Sequence, residues 1–252
     1  MSNETHGATL KQADEAQRRG DFGAARKLLT RLRAETQDDD PRLVQRLALV
    51  TYKSEQPGLV EALEEARELL LTLDPATSDD AETLGLWGAV HKRLWNETGE
   101  RQYLDDAVRA YERGFRQLRD YYNGINLAFL LNERAVTLSD QANYASAEDA
   151  AQLRAEAATC SADAVEVRRE VLSICQSLLD KGGLADEQKY WVLATMAEAY
   201  LGTGDEEGAR QKLGEARAVA PAGWMWDSTE EQMNKLRVLL AGSPLEHADG
   251  GA

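Results

Sequence analysis

Apolar residues recur along most of the chain at intervals of three and four, the spacing that places them on one face of an α-helix. The stretch from Tyr121 to Leu131 shows this most clearly, because Gly124, Leu127, Ala128 and Leu131 form a narrow stripe of mostly small residues. Glycine, proline and acidic residues interrupt the periodic stretches at short intervals. The pattern predicts an all-α chain of short helices joined by tight turns.

These interruptions divide the helices into about five pairs. The first two pairs are expected at residues 8–19 and 22–36, and at residues 42–54 and 59–73. A third pair begins after Asp80, and an insertion around residues 96–101 is expected to lengthen its connection. The fourth pair begins at Tyr121 and ends near Leu179, with a break near residues 140–144.

The fifth pair carries a known helix-pair signature at the spacing of a 34-residue unit. Its signature positions are Leu193, Met196, Ala197, Tyr200, Ala209, Leu213, Ala216 and Pro221. The third pair carries part of the same signature, in which small residues let the two helices approach closely. This is the tetratricopeptide pattern, and it predicts a right-handed α-solenoid of about five tetratricopeptide-like helix pairs with a C-terminal capping helix.

The second helix of the fourth pair is unusually long. It is expected to run from about Ser146 to Leu179, roughly 50 Å at 1.5 Å per residue. Residues 145–163 are rich in alanine and charge, with little apolar area for docking. We therefore expect this half to protrude as an arm, frayed toward Tyr144 and anchored by residues 165–179.

The chain ends are expected to lie outside the solenoid. Ser228 and Glu231 have the spacing of a capping box, which predicts that the capping helix begins at Ser228 and ends near Ala241. The predicted domain plan is a disordered segment at residues 1–7, one solenoid domain at 8–241 and a disordered tail at 242–252.

Charge and hydropathy narrow the classes of function. The net charge is −15 and the pI is about 4.7, which argues against nucleic acid as a partner. The longest apolar run is far too short to span a membrane, and residues 1–10 lack the basic and apolar regions of a signal segment, so neither feature is expected. We expect a soluble, cytoplasmic protein, and the abundance of alanine and arginine favours a bacterial source.

Several segments together resemble the tetratricopeptide-type region called the TRAFs-binding domain. They are residues 87–95, 103–115, 122–131, 190–205 and 224–236, and the run Gly124-Ile-Asn-Leu-Ala128 is the most specific of them. That domain occurs in the central regulatory part of the apoptosis signal-regulating kinases and in many bacterial proteins. The resemblance covers roughly residues 42–241 and implies a helical scaffold for contacts with an unidentified protein.

The reactive residues do not converge on a catalytic site. His6 and His247 lie in the expected tails, and His91 replaces a packing tyrosine of the repeat, so we expect it in the core. Cys160 and Cys175 lie about 22 Å apart on one predicted helix, which favours reduced thiols. We predict no catalytic residue, no metal ligand and no cofactor, and hence not an enzyme.

The first helix of each pair lines the concave surface in proteins with this repeat. That register predicts a partner-binding groove formed by Tyr52, Lys92, Tyr122, Phe129, Asn132 and Trp191, with Ala194 and Glu198 beside Trp191. Rigid aromatic side chains at these positions suit an amphipathic helix or an extended peptide. The alternative is that tight curvature buries them as additional core.

Two hypotheses for function follow. The leading one is a non-enzymatic scaffold that binds a protein or peptide in this groove. The alternative is a sensor that binds a small anionic ligand such as a nucleotide, with Lys92 and Asn132 as polar anchors, and relays it to a signalling partner. Arg109, Arg113 and Arg116 form a further stripe, read either as a solvated face or as a candidate anion patch.

Overall fold

The computed structural model describes residues 3–36, 40–219 and 223–242. Within these ranges it contains eleven α-helices and no β-strand, so the predicted all-α class is confirmed. The helices are α1 (Asn3–Arg18), α2 (Phe22–Thr36), α3 (Pro41–Ser54), α4 (Leu59–Leu71), α5 (Ala81–Thr98), α6 (Arg101–Leu118), α7 (Tyr121–Ala142), α8 (Ala147–Lys181), α9 (Asp186–Gly202), α10 (Glu206–Ala218) and α11 (Gly223–Ala241). None of them is long and apolar enough to cross a membrane.

The chain divides into two compact units, Met1–Arg113 and Gly114–Ala252. The first unit contains α1 to α5 and most of α6, and the second contains the end of α6 and α7 to α11. The sequence predicts a single domain over residues 8–241, which stays a prediction. Helix α1 begins at Asn3, inside the segment expected to be disordered, whereas residues 1–2 and 243–252 lie outside the described part of the chain.

Acidic and hydroxyl side chains determine where many helices begin. The carboxylates of Asp80 and Asp120 accept hydrogen bonds from the backbone N–H groups three residues on, at 2.8 and 2.9 Å. Asp40, Ser146 and Asp205 likewise cap α3, α8 and α10 through their own side chains. Each cap satisfies an otherwise unpaired N–H group and stabilises its helix by about 1 kcal/mol.

Neighbouring helices in the first unit pack antiparallel through small residues. Ala25 and Leu29 of α2 are fully buried in a core shared with α1 and α3. In the next layer, Gly88 of α5 faces the ring of Tyr111 of α6, and a Cβ atom at Gly88 would lie 2.7 Å from that ring. Glycine is required here because α5 and α6 approach so closely.

The connection between α5 and α6 is short, which corrects the sequence-based expectation of a lengthened loop. Helix α5 continues to Thr98, and only Gly99 and Glu100 separate it from α6. Gly99 adopts a left-handed conformation with φ of 68° and ends α5 through a hydrogen bond to the carbonyl of Trp95. The inserted residues therefore extend the helix rather than the loop.

Helices α7 and α8 form a long hairpin in the second unit, and its packing corrects the prediction of a protruding arm. The first half of α8 is docked on the second half of α7, where Ala157 is buried beside Ala135 and Leu138. Leu153 and Cys160 pack against the same cluster. Small alanine side chains allow the two helices to approach closely, so docking needs few large apolar residues.

Helix α11 begins at Gly223, five residues before the predicted N-cap at Ser228, and ends at Ala241 as expected. It packs against α9 and α7, the first helices of the fifth and fourth pairs. Its N-terminal turn also reaches the end of α10, where the Arg217 guanidinium lies 5.0 Å from the Trp226 ring. The predicted terminal helix therefore exists, but its main contacts are with first helices.

Candidate partner-binding face

Burial separates the predicted groove residues into two sets. Tyr52, Phe129 and Asn132 are buried, with Tyr52 5% and Phe129 1% exposed. Tyr122 is 46% exposed, and Trp191 and Lys92 are half-buried. This corrects the expectation that Tyr52, Phe129 and Asn132 line an open groove, because neighbouring helices enclose them as additional core.

The environment of Tyr52 shows what encloses one of these aromatic residues. Tyr52 packs in the core of the first unit with Ala48 and Leu63, and the Arg93 guanidinium lies 4.8 Å from its ring.

In the second unit, the carboxamide Oδ1 atom of Asn132 is buried without a hydrogen-bond partner.

The arginine stripe on α6 is engaged in local contacts. Arg109 pairs with Asp106, one turn earlier on the same helix. Arg113 donates hydrogen bonds to the carbonyl oxygens of Ala76 and Thr77 and pairs with Asp79, so it holds the loop before α5. Arg116 is exposed. For Arg109 and Arg113 these contacts support a structural role rather than an open anion patch.

His91 is a core residue, as its position in the repeat predicts. It is buried, its Nδ1 atom lies 2.8 Å from the carbonyl oxygen of Trp87, and its ring contacts those of Trp87 and Tyr103. Burial lowers the pKa of the His91 imidazole, although the hydrogen bond with Trp87 opposes that shift. The neutral form of His91 is therefore favoured in the folded state.

Both cysteines are free thiols on α8, as predicted. Burial raises the pKa of Cys175 to about 12 and also raises the pKa of Cys160. Both thiols are therefore poor nucleophiles at neutral pH. Within the described residues, no three histidine, cysteine, aspartate or glutamate side chains are grouped as metal ligands.

Arg168 is the feature of the second unit that sequence reasoning missed. Its side chain on α8 is fully buried, and none of its three guanidinium nitrogens has a hydrogen-bond partner. The group lies against the backbone of Gly202 on α9, where a Cβ atom would collide with it. Burial lowers the pKa of Arg168 to about 10, and the negative charge of Glu198 acts in the opposite direction.

Helix α11 covers the surface formed by α7 and α9, which we call the first-helix face. The hydroxyl group of Tyr190 donates to the carbonyl oxygen of Met225 at 3.1 Å and lies 2.8 Å from the Thr229 hydroxyl. The Gln232 amide donates to Glu198 Oε1 at 3.1 Å. The rings of Trp191 and Trp224 lie 6.1 Å apart, and Ala194 shares a core cluster with Met225.

The contacts of α11 coincide with the stripe that the sequence assigns to the groove. All three predicted positions on α9, namely Trp191, Ala194 and Glu198, contact or cluster with residues of α11. The first-helix face thus accommodates an amphipathic helix through aromatic, apolar and hydrogen-bonding contacts. A helix bound across parallel first helices is the geometry of helix-in-groove recognition.

Comparisons with known proteins agree with the helix-pair architecture. A family model described as "Tetratricopeptide Repeats-Sensor" matches residues 21–131. The structure of a thermophilic TPR protein from Thermus thermophilus is similar with a TM-score of 0.58 and 17% identity, covering 92% of this chain and 99% of that one. No curated protein matches the chain.

Two further solved structures are similar at lower scores. The MamA protein has a TM-score of 0.47 and 13% identity, over 86% of this chain and 93% of that one. A putative kinesin light chain with TPR-like repeats from Podosopora anserina has a TM-score of 0.44 and 17% identity, over 84% and 93%. The family match and the Thermus structure support a tetratricopeptide-type domain, and the fold is of the α-solenoid class.

Proposed function

We propose that this chain is a non-enzymatic scaffold of tetratricopeptide type that binds a protein or peptide on the first-helix face of its second unit. The observation that carries the proposal is α11 itself, which lies across α9 and α7. Because α11 is held there by Tyr190, Glu198 and Trp191, the face already provides the contacts that an amphipathic helix needs.

The resemblance to the TRAFs-binding domain also supports the proposed role. The matched family segment, residues 21–131, overlaps the start of the region that carries this resemblance and includes the run Gly124 to Ala128. We propose that the chain acts, like that domain, as a helical contact module in a signalling assembly of a bacterial cytoplasm. The net charge of −15 favours a basic partner.

Tyr122 and Trp191 are the proposed contact residues on this face. Both lie on first helices of the second unit, Tyr122 at the start of α7 and Trp191 near the start of α9, and both retain exposed surface. Tyrosine and tryptophan contribute disproportionately to binding energy because they bury a large area at a small entropic cost.

The test is selection of binders from a displayed library of amphipathic helices, each about 20 residues long to match α11, against the full chain. We expect enriched peptides whose affinity falls at least about tenfold when Tyr122 and Trp191 are both changed to Ser. Tyr144→Ser is the matched control, because Tyr144 is 94% exposed and lies outside the first-helix face, in the turn between α7 and α8. The proposal is wrong if no peptide is enriched, or if the double variant binds as well as the control.

A second candidate is a sensor of a small anionic ligand such as a nucleotide, with Asn132 as its polar anchor in the second unit. Two observations favour it: the description of the matched family contains the word "Sensor", and the buried Oδ1 atom of Asn132 has no partner. A nucleotide at about 100 times its dissociation constant should raise the free energy of unfolding by about 2.7 kcal/mol. A thermal-shift screen without any nucleotide-dependent change would exclude this candidate.

A further inference from the structure

The position of α11 differs from that of a helix that simply continues the stack. A continuing helix packs along both helices of the last pair, whereas α11 packs mainly on α9 and α7, which belong to two successive pairs. The Cβ position of Gly242 lies 3.9 Å from Val136 of α7, so α11 extends from the start of α9 to the second half of α7. This is the path of a bound helix rather than of another repeat.

The interface uses one narrow stripe of α11. Its buried residues are Met225, Thr229, Met233 and Leu236, at intervals of four, four and three residues. The other side chains are exposed or half-buried, and Val238 is 75% exposed. A short amphipathic helix from another protein could reproduce this pattern, because only four positions need to be small or apolar.

The electrostatics of the face favour a more basic occupant than α11. Glu198 is buried beneath α11, where it interacts with the charge of the buried Arg168 of α8, and its contact from α11 is a hydrogen bond from the neutral amide of Gln232. Helix α11 carries three acidic residues, at 227, 230 and 231, against two basic ones, at 235 and 237, on a chain whose net charge is −15. A lysine or arginine at the position of Gln232 would form a charge-assisted hydrogen bond with Glu198. Such a bond is stronger than the hydrogen bond that the neutral Gln232 amide donates.

We propose that α11 is an intramolecular ligand of the first-helix face, and that a basic amphipathic helix of the partner displaces it. This inference rests on the proposed binding function and adds its regulation and the chemistry of its partner. The partner helix carries small or apolar side chains at the spacing of Met225, Thr229, Met233 and Leu236, and a basic residue opposite Glu198. The covalent link to α10 gives α11 a high effective concentration, so only a helix with better complementarity replaces it.

The experiment measures binding of two synthetic helices to the full chain by fluorescence anisotropy. Both peptides have the sequence of residues 223–241, one with Gln232→Lys and the other with Gln232→Glu. The protein variant Met233→Asp detaches α11 by placing a carboxylate in its buried stripe, and Asn234→Asp adds the same charge at an exposed position as the control. We expect the Lys peptide to bind Met233→Asp at least about tenfold more tightly than it binds wild type or Asn234→Asp.

The two peptides test the chemistry of the partner. The Lys peptide should bind Met233→Asp at least about tenfold more tightly than the Glu peptide, and this difference should shrink at high salt. Equal affinities of the two peptides would overturn the basic-partner assignment. Equal affinities of the Lys peptide for wild type and for a helical Met233→Asp variant would overturn the intramolecular-ligand assignment.

Hydrogen exchange on the wild-type chain tests whether the peptide displaces α11, even if Met233→Asp does not fold. A saturating Lys peptide should lower the protection of α11 amides while α9 stays protected. Binding that leaves the protection of α11 unchanged refutes displacement but leaves the proposed binding function intact, whereas binding of neither this peptide nor any library peptide refutes both. If the native protein without peptide has twice the mass of one chain, α11 is exchanged between two copies, and this outcome also contradicts the proposal.

Discussion

Replacing Arg168 with methionine should stabilise the second unit, although it removes a charge from an ordered side chain. Met is unbranched and flexible, has a volume similar to that of Arg and has no group that needs hydrogen bonds, so it can fill much of the same space beside Gly202. The buried guanidinium has no hydrogen-bond partner on any nitrogen. A buried charge in that condition pays its desolvation cost without full compensation.

The size of the effect follows from the pKa of Arg168. In the folded state the pKa of Arg168 falls from 12.5 to about 10, because burial outweighs the attraction to Glu198, and this corresponds to about 3 kcal/mol of net destabilisation of the charged form. That figure already contains the attraction to Glu198. The variant Arg168→Met should therefore raise the free energy of unfolding by up to about 3 kcal/mol, or raise the Tm by up to about 6–12 °C.

Urea unfolding followed by circular dichroism and tryptophan fluorescence measures this difference. Arg169→Met is the matched control, because Arg169 is the next residue of α8 and is exposed. The folded protein loses the cost of the charged form as the pH rises from about 10 toward 12.5, where Arg168 becomes neutral in the folded state before it does in the unfolded state. The advantage of Arg168→Met should therefore shrink over that range. A variant that is less stable than wild type by more than about 1 kcal/mol would show that Arg168 is paired in solution, and the reasoning would fail.

Three further predictions concern packing and protonation. Gly88→Ala should destabilise the first unit by about 1–3 kcal/mol in urea unfolding, because its Cβ atom would press on the ring of Tyr111. The control Gly214→Ala lies on the open surface of α10 and should be neutral or stabilising by up to about 1 kcal/mol. Equal effects of the two substitutions would contradict the close approach of α5 and α6. Because burial lowers the pKa of His91, this residue is protonated in the unfolded state before it is in the folded state as the pH falls through 6.5. Wild type should therefore lose more stability than His91→Gln between about pH 7 and 5. Parallel pH profiles of stability for the two proteins would refute this. Amides 150–160 of α8 should exchange as slowly as amides 166–179, and fast exchange confined to 150–160 would contradict docking on α7.

Local signals predicted several helix starts well, because capping chemistry acts within a few residues. Asp80 and Ser146 cap α5 and α8 through their own side chains, so the sequence around each start contains the cause of the start. The connection after Asn96 was predicted wrongly because an insertion can lengthen either a loop or a helix. Gly99 resolves that choice, since a glycine in the left-handed conformation is a common helix end.

Tertiary packing decided what the sequence pattern could not. The first half of α8 has little large apolar surface, yet Ala157 docks against Ala135 and Leu138 because α7 continues far enough to meet it. Phe129 is enclosed for a related reason, since burial of one helix face depends on where the neighbouring helices lie. Arg168 gave no sequence signal at all, because an arginine in an amphipathic helix is normally solvated.

The start of α11 shows how a small boundary error changes the interpretation of a site. The capping-box spacing of Ser228 and Glu231 is genuine, but both residues lie inside a helix that begins at Gly223. The first turns contain Trp224 and Met225, which contact Trp191 and accept the hydrogen bond from Tyr190. A helix that began at Ser228 would lack these contacts and would leave the start of α9 open. Trp224 and Met225, which close the first-helix face at the start of α9, therefore lie before the predicted start of the capping helix, whereas Thr229, Met233 and Leu236 lie within the helix that the sequence predicts.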